Sequence, residues 1–312
     1  MIAGRKIFSG RATRKLALEI CRHLGVELAR ADVMKFKNDN LFVQIQENVR
    51  QCEAFVVQTS CPPVDENLME TLIMIDALRR ASARRITAVL PYYPYGRSDK
   101  KDQPRVPITA RLVADLLTTA GADRVMTVDL HSPQIQGFFS IPCDHLTATT
   151  LFAQYMGTKG LIAPVAVATD AGAAKRALGF AQALDIPLAI MEKHRRGNTD
   201  TVAITAFIGD VRGREAIVFE DEIATGSTLL AAAEVLHQQG AAAIYVCAIH
   251  AVFAGDALER LHESVIDEVV VTNTIPHEDL PSKVTELSVA PLLAAAIERV
   301  TTGESISSLF EI

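Results

Sequence analysis

The sequence predicts an α/β protein of two domains, each a mainly parallel sheet flanked by helices. Short β-rich apolar runs alternate with helical patterns, as βαβ units require. The alternation runs through once, pauses near residues 145 to 160, and restarts. The length of 312 residues suits two domains of ordinary size. The expected domains are residues 1–150 and 151–312.

In the first half, Lys6 to Phe8 starts a strand and Ala12 to Leu24 reads as a helix. Leu41, Val43 and Ile45 alternate with Phe42, Gln44 and Gln46, which predicts a half-buried strand. Ala54 to Gln58 is a strand. A helix over Asp65 to Ala81 follows the Pro62-Pro63 breaker, and a strand over Arg85 to Leu90 ends at Pro91. Thr109 to Ala120 is a helix stopped by Gly121, and Val125 to Leu130 is the next strand. In the second half, strands are expected at Val165 to Thr169, Leu188 to Met191, Ala216 to Phe219, Ile244 to Ile249 and Glu268 to Thr272. Val202 to Ile208 alternates as half of a hairpin. Helices are expected near Ala173 to Ala183, over Ser227 to Gln239 and over Pro291 to Val300.

Composition narrows the function classes. The formal net charge of −6 lacks the basic footprint of a nucleic-acid binder, although local sites still hold small anions. The five cysteines are odd in number and none has CxxC spacing, so they read as free thiols in a reducing compartment. The first ten residues have no apolar signal core. The longest apolar run, Gly240 to Gly255, contains His250 and is too short to span a bilayer. The expectation is a cytoplasmic protein with no membrane or nucleic-acid partner.

The sharpest chemical signal is Ile217-Val218-Phe219-Glu220-Asp221-Glu222-Ile223-Ala224-Thr225-Gly226-Ser227-Thr228. An apolar strand ends in acids, a loop of small residues follows, and a helix opens. Ligands of open α/β sheets bind at the carboxyl ends of strands. A helix start offers unpaired N–H groups and a positive dipole end, which suit a phosphate. Thr225, Ser227 and Thr228 add hydroxyls, and Gly226 lets backbone approach the anion. Glu220 and Asp221 stand where carboxylates accept hydrogen bonds from sugar hydroxyls. A plain βα turn with a Ser/Thr cap would need only part of this set. His131 and Asp170 each follow a predicted strand, where a site would lie. Glu192 to Asn198 is a charged stretch between a strand and the hairpin; its simplest reading is a solvated turn.

The Glu220 to Thr228 segment resembles the phosphoribosyl-diphosphate loop of type I phosphoribosyltransferases. Further segments narrow the resemblance to the ribose-phosphate pyrophosphokinases: Pro91-Tyr92-Tyr93-Pro94-Tyr95-Gly96-Arg97-Ser98-Asp99-Lys100-Lys101, and Asp129-Leu130-His131-Ser132-Pro133-Gln134-Ile135-Gln136-Gly137-Phe138-Phe139. Leu287 to Leu293 and Ser305 to Phe310 extend it to the end of the chain. The resemblance implies two phosphoribosyltransferase-like domains, an ATP side in 1–150 and a ribose 5-phosphate side in 151–312, with the active site between them. It implies Mg²⁺-ATP as diphosphoryl donor, AMP as a product, and a homo-oligomer, in this family a hexamer.

Carried over residue by residue, Phe36, Asn38, Asn40, Arg97, Ser98 and Asp99 are ATP-side. Glu220, Asp221, Ala224, Thr225, Gly226, Ser227 and Thr228 hold ribose 5-phosphate. His131 and Asp170 are metal-side, and Lys193 and Arg195 are the cations of a catalytic loop. Asn48, Arg50, Ser305 and Ser307 match a regulatory phosphate site. The chain departs from the family pattern at Asn38 and Asn40, which replace acids, at Ala224, which replaces an acid of the phosphate loop, and at Asn48, which replaces a Ser. Two other functions stay open at this point. A phosphoribosyltransferase acting on a base uses the same loop, but the Arg97 and His131 segments and the chain length speak against it. A non-catalytic regulatory paralogue fits the departures, but not the retention of Lys193, Arg195, His131, Asp170 and Asp221.

Overall fold

The computed structural model describes residues 4–195 and 202–309; the side chains of 192–195, 202–206 and 308 lie outside that description. The chain divides into two compact units. One comprises Met1–Thr147, Thr274–Pro276 and Ser288–Glu311, the other Ala148–Asn273 and His277–Leu287.

The first unit contains β1 (Arg5–Ser9), α1 (Arg14–Leu24), β2 (Ala31–Lys35), β3 (Leu41–Ile45), β4 (Glu53–Val57), α2 (Val64–Arg80), β5 (Arg85–Leu90), α3 (Thr109–Ala120), β6 (Arg124–Val128) and β7 (Cys143–Leu146). A five-stranded, wholly parallel sheet runs β1-β4-β5-β6-β7. Every residue of the inner strand β4 is buried, which is why Glu53 to Val57 reads as a continuous apolar run after its first residue. β2 and β3 form a separate antiparallel pair. Helix α3 ends as expected at Gly121, whose φ of +115° suits a residue without Cβ and whose N–H closes the last turn on Leu117.

The second unit contains α4 (Thr149–Gly157), β8 (Pro164–Ala168), α5 (Ala174–Leu184), β9 (Leu188–Arg195), β10 (Val202–Ile208), β11 (Glu215–Ile223), α6 (Ser227–Gln238), β12 (Ala243–Ala251), α7 (Ala257–Glu263), β13 (Glu268–Thr272) and β14 (Val284–Leu287). Its seven-stranded sheet runs β10-β9-β8-β11-β12-β13-β14, and only β10 is antiparallel to its neighbour. The fold class is the expected α/β. The core packs Phe219 flat on Phe180, with ring centroids 4.5 Å apart, and edge-on to Phe152 at 5.5 Å.

Besides short elements that the sequence did not mark, two features differ from the sequence expectation. The last helix, α8 (Ala290–Thr302), belongs to the first unit, where it packs against α1 and Ser288 donates to Glu19 at 2.7 Å. The tail of the chain therefore does not sit with the rest of residues 151–312. The second difference is in β11, which runs through the acids to Ile223 because β12 continues beside it, pairing Glu220 with Ala248 and Ile223 with Ala251. Among the described residues no helix is long and apolar enough to cross a membrane. All five cysteines are free, and burial raises Cys247 and pushes Cys143 up to about 12, so neither is a ready thiolate.

Candidate active site

In the second unit the chain places β8 and then β9 on one side, and returns across to β11 on the other side of β8. That reversal leaves a crevice at the carboxyl ends of β8 and β11, where open α/β sheets bind ligands. Asp170 follows β8, and Glu220 and Asp221 occupy the end of β11. Beyond them Gly226, at φ +71°, turns the chain into α6. The Ala224 carbonyl is held by the Ala254 N–H at 2.9 Å, and the Gly226 carbonyl accepts from Leu230 N–H at 2.9 Å. Thr225 and Ser227 hydroxyls lie 3.4 Å apart on the exposed side of the turn. The first N–H groups of α6 thus open beside two hydroxyls, the arrangement a phosphate needs.

The acids are organised by residues that the sequence pattern did not single out. Arg176, on α5, reaches Asp221 at 3.3 Å and Glu220 at 3.5 Å. The Thr169 hydroxyl donates to Glu220. Asp170 accepts from the Ala173 N–H through Oδ1 at 2.9 Å, which fixes its carboxylate at the entry to α5. Arg260, on α7, lies 3.5 Å from the Thr225 carbonyl and 3.4 Å from the Ser227 hydroxyl, so a cation borders the phosphate turn. Arg176 and Arg260 come to the site only through tertiary packing. Nothing in their local sequence marks them.

Burial pushes the Glu220 carboxyl up to about 7, against the Thr169 hydrogen bond and Arg176, which favour the ionised form. The unfolded chain releases this proton near 4.5, so between about 4.5 and 7 the folded state holds more protons and stability falls as pH rises. The expected loss is of the order of 3 kcal/mol. Glu220→Gln removes that titration. Urea unfolding of the ligand-free protein at pH 5 and pH 8 should show the variant gaining on the wild type at pH 8. An equal difference at both values would mean that Glu220 is ionised throughout.

In the first unit the expected ATP-side residues lie on the loop between β5 and α3. Ser98 is woven into the start of α3: its carbonyl accepts from Ala110 N–H at 3.1 Å, and its hydroxyl accepts from Thr109 N–H at 3.2 Å. Tyr93 is buried and donates to the Ala110 carbonyl at 2.9 Å. Arg97 is exposed, and Asp99 is half-buried. A Cβ built on Gly96 would lie 3.8 Å from the Cβ of His131, so this loop and the loop after β6 meet there. His131 itself is exposed.

Phe36, Asn38 and Asn40 lie on the tight turn joining β2 to β3. Phe36 N–H donates to the Asn40 carbonyl at 2.8 Å, and the Phe36 ring packs on Phe42 at 5.5 Å while staying half exposed. Both regions are tied to the first turn of α2: Lys35 pairs with Glu66 at 2.7 Å, and the Tyr95 hydroxyl bonds Asp65. Acids in that turn also suit the positive end of the helix. Lys193 and Arg195 fall on β9, paired with Ile204 and Val202 of β10, and their side chains lie outside the described residues.

The N-terminal domain of ribose phosphate pyrophosphokinase matches residues 5–121, and the phosphoribosyl synthetase-associated domain matches residues 200–311. A ribose-phosphate pyrophosphokinase of Caldanaerobacter subterraneus subsp. tengcongensis is 51% identical over 308 residues, covering 98% of this chain and 97% of the relative. One from Wolinella succinogenes is 47% identical, covering 98% and 99%. The chain belongs to the ribose-phosphate pyrophosphokinase family. A crystal structure of phosphoribosylpyrophosphate synthetase from Mycobacterium smegmatis superposes with a TM-score of 0.89 at 43% identity, over 96% of this chain and 99% of that one.

Asn48, Arg50, Ser305 and Ser307, expected at a regulatory phosphate site, close two local turns. The Asn48 side-chain oxygen accepts from the Arg50 N–H at 3.0 Å, closing a local turn, and the Ser305 hydroxyl accepts from Ser307 N–H at 3.1 Å. The Asn48 amide is thereby committed to its own turn. Activity is therefore expected to depend only weakly on inorganic phosphate. A phosphate titration in a non-phosphate buffer checks this, and a strict phosphate requirement would refute it.

Proposed function

We propose that this protein is a ribose-phosphate diphosphokinase. It transfers the β,γ-diphosphoryl group of ATP to the anomeric hydroxyl of ribose 5-phosphate, giving 5-phosphoribosyl 1-diphosphate and AMP. The observation that carries the reading is the phosphate turn at Thr225 to Thr228, with the Glu220–Asp221 pair behind it and Arg176 bridging the acids. A turn suited to a phosphate, preceded in the chain by carboxylates that accept from hydroxyls, fits a phosphorylated pentose.

Thr225, Gly226, Ser227 and Thr228 take the 5-phosphate, with Ala224 as backbone, and Glu220 and Asp221 orient the ribose hydroxyls. Arg97, Ser98 and Asp99 hold the ATP phosphates and ribose, and Phe36, Asn38 and Asn40 take the adenine. The anomeric oxygen attacks the β-phosphorus, the bond from that phosphorus to the α,β-bridging oxygen breaks, and AMP leaves with the bridging oxygen. The hydroxyl proton passes to solvent. Lys193 and Arg195 neutralise charge on the transferring oxygens.

Asp170 and His131 would hold Mg²⁺. The carboxylate is the hard oxygen donor this ion prefers, and its placement at a strand end by the Ala173 N–H fits such a ligand. The imidazole is a less usual donor for this ion. Magnesium held there would neutralise charge on the ATP phosphates. The protein works in the cytoplasm as a homo-oligomer, a hexamer by family likeness. Nucleotide analysis tests the reading: AMP must form from ATP only when ribose 5-phosphate is present. Formation of ADP, or release of diphosphate from phosphoribosyl diphosphate and a base, would overturn it.

A further inference from the structure

His145, on β7 at the edge of the first unit's sheet, has no place in the reaction just described, yet it is bonded next to His131. The turn after β6 is held by three consecutive backbone N–H groups. Val128 donates to the Pro91 carbonyl at 3.3 Å, Asp129 to the Leu146 carbonyl at 2.9 Å, and Leu130 to the imidazole Nε2 of His145 at 2.9 Å. The first two acceptors are ordinary main chain; the third is a side chain. Asp129 sits at φ +39°, a conformation unfavourable to a residue with Cβ, so the turn needs such restraint. Leu130 N–H can only donate, so Nε2 is the accepting nitrogen of the His145 ring. Burial lowers the His145 pKa, which agrees with a neutral ring.

We infer that His145 is a positioning residue for the diphosphoryl transfer: its neutral imidazole locks the Asp129–His131 turn so that the His131 ring is presented to the metal-bound ATP. The proposal rests on the reading of His131 as an ATP-side metal ligand. Loss of such an outer partner typically costs about 10- to 100-fold in metal affinity or activity.

The test is a set of variants read by calorimetric titration with Mg-ATP and by steady-state kinetics. His145→Leu should weaken Mg-ATP and lower kcat within that range, with the KM for ribose 5-phosphate unchanged. His145→Gln places an amide oxygen near the position of Nε2 and should recover most of the loss. His145→Asn is one carbon shorter and should not. In a His131→Ala background, His145→Leu should cost less than about 3-fold, because the ring it positions is gone. A merely structural role predicts the same loss in both backgrounds, equal defects in the Gln and Asn variants, or a matching change in ribose 5-phosphate KM; any of these overturns the proposal. If His145→Leu does not fold, the Gln and Asn pair decides alone. A His131→Ala enzyme that binds Mg-ATP normally would sink the metal-ligand reading, whereas a defective His131→Ala beside an unaffected His145→Asn sinks only the positioning role.

Discussion

Lys193→Ala should lower kcat by roughly 10³- to 10⁵-fold and leave the KM values nearly constant. A cation that meets the diphosphoryl group mainly in flight contributes to the transition state and little to the ground state, so kcat and kcat/KM fall together. The size follows from comparable arginine fingers in phosphoryl transfer, worth about 10³ to 10⁵. Arg195→Ala should lose a similar or slightly smaller factor, and the two losses should not add, because the proposed mechanism sets both cations on one group. His194→Ala and Arg196→Ala are internal controls, neighbours of the two cations that the family pattern does not match, and should retain activity. Steady-state kinetics of the four variants checks this. Equal losses in all four would mean that the segment is merely charged; a change confined to KM for Lys193→Ala would mean that it binds substrate without assisting transfer.

Asp221→Asn should raise the ribose 5-phosphate KM and lower kcat, with a combined loss of about 10²-fold in kcat/KM. Hydrogen bonds to a charged acceptor are worth about 1.5–3 kcal/mol each, and an amide replaces at most one of two such bonds. Asp221 is buried and its partner Arg176 lies 3.3 Å away, so the substitution also leaves that guanidinium with a weaker partner. Ala224→Asp, which restores the usual family acid, should give little gain, because the backbone of the turn is already held by the Ala254 N–H. Unchanged kinetics in Asp221→Asn would remove the sugar-binding role from this residue.

Much of the architecture was legible in the sequence because the inner strands of parallel sheets are buried on both faces and read as plain apolar runs. β4, β5, β8 and β13 were all found that way, and the alternation of Leu41 to Gln46 disclosed β3. The elements missed are short or peripheral. β7 has four residues, including Asp144 and His145; β14 has four, all half-buried; α7 has seven; α4 has nine and falls where the domain boundary was expected; and β2 exposes Asp32, Met34 and Lys35. None carries enough periodicity to stand out from loop. The return of α8 to the first unit is a tertiary event with no local signal.

The candidate site divides in the same way. The phosphate turn was legible because a strand, a glycine and a helix start must be contiguous in sequence to make it, and Gly226 takes the positive φ such a turn demands. Arg176, Thr169, Arg260 and His145 were not legible. Their site partners lie between 15 and 51 residues away along the chain; nearer contacts are Gln136 to His145, nine residues apart, and Asp256 to Arg260, four apart. Such contacts are decided by how the strands lie beside one another.

The most direct measurement is ³¹P NMR of the protein incubated with ATP, Mg²⁺ and ribose 5-phosphate. The account predicts loss of the ATP β-phosphorus resonance, appearance of an AMP monophosphate signal, and a new pair of diphosphate resonances coupled to each other, one of them also coupled to the sugar C1 proton. ADP with inorganic phosphate, or an ATP spectrum unchanged by ribose 5-phosphate, would contradict it.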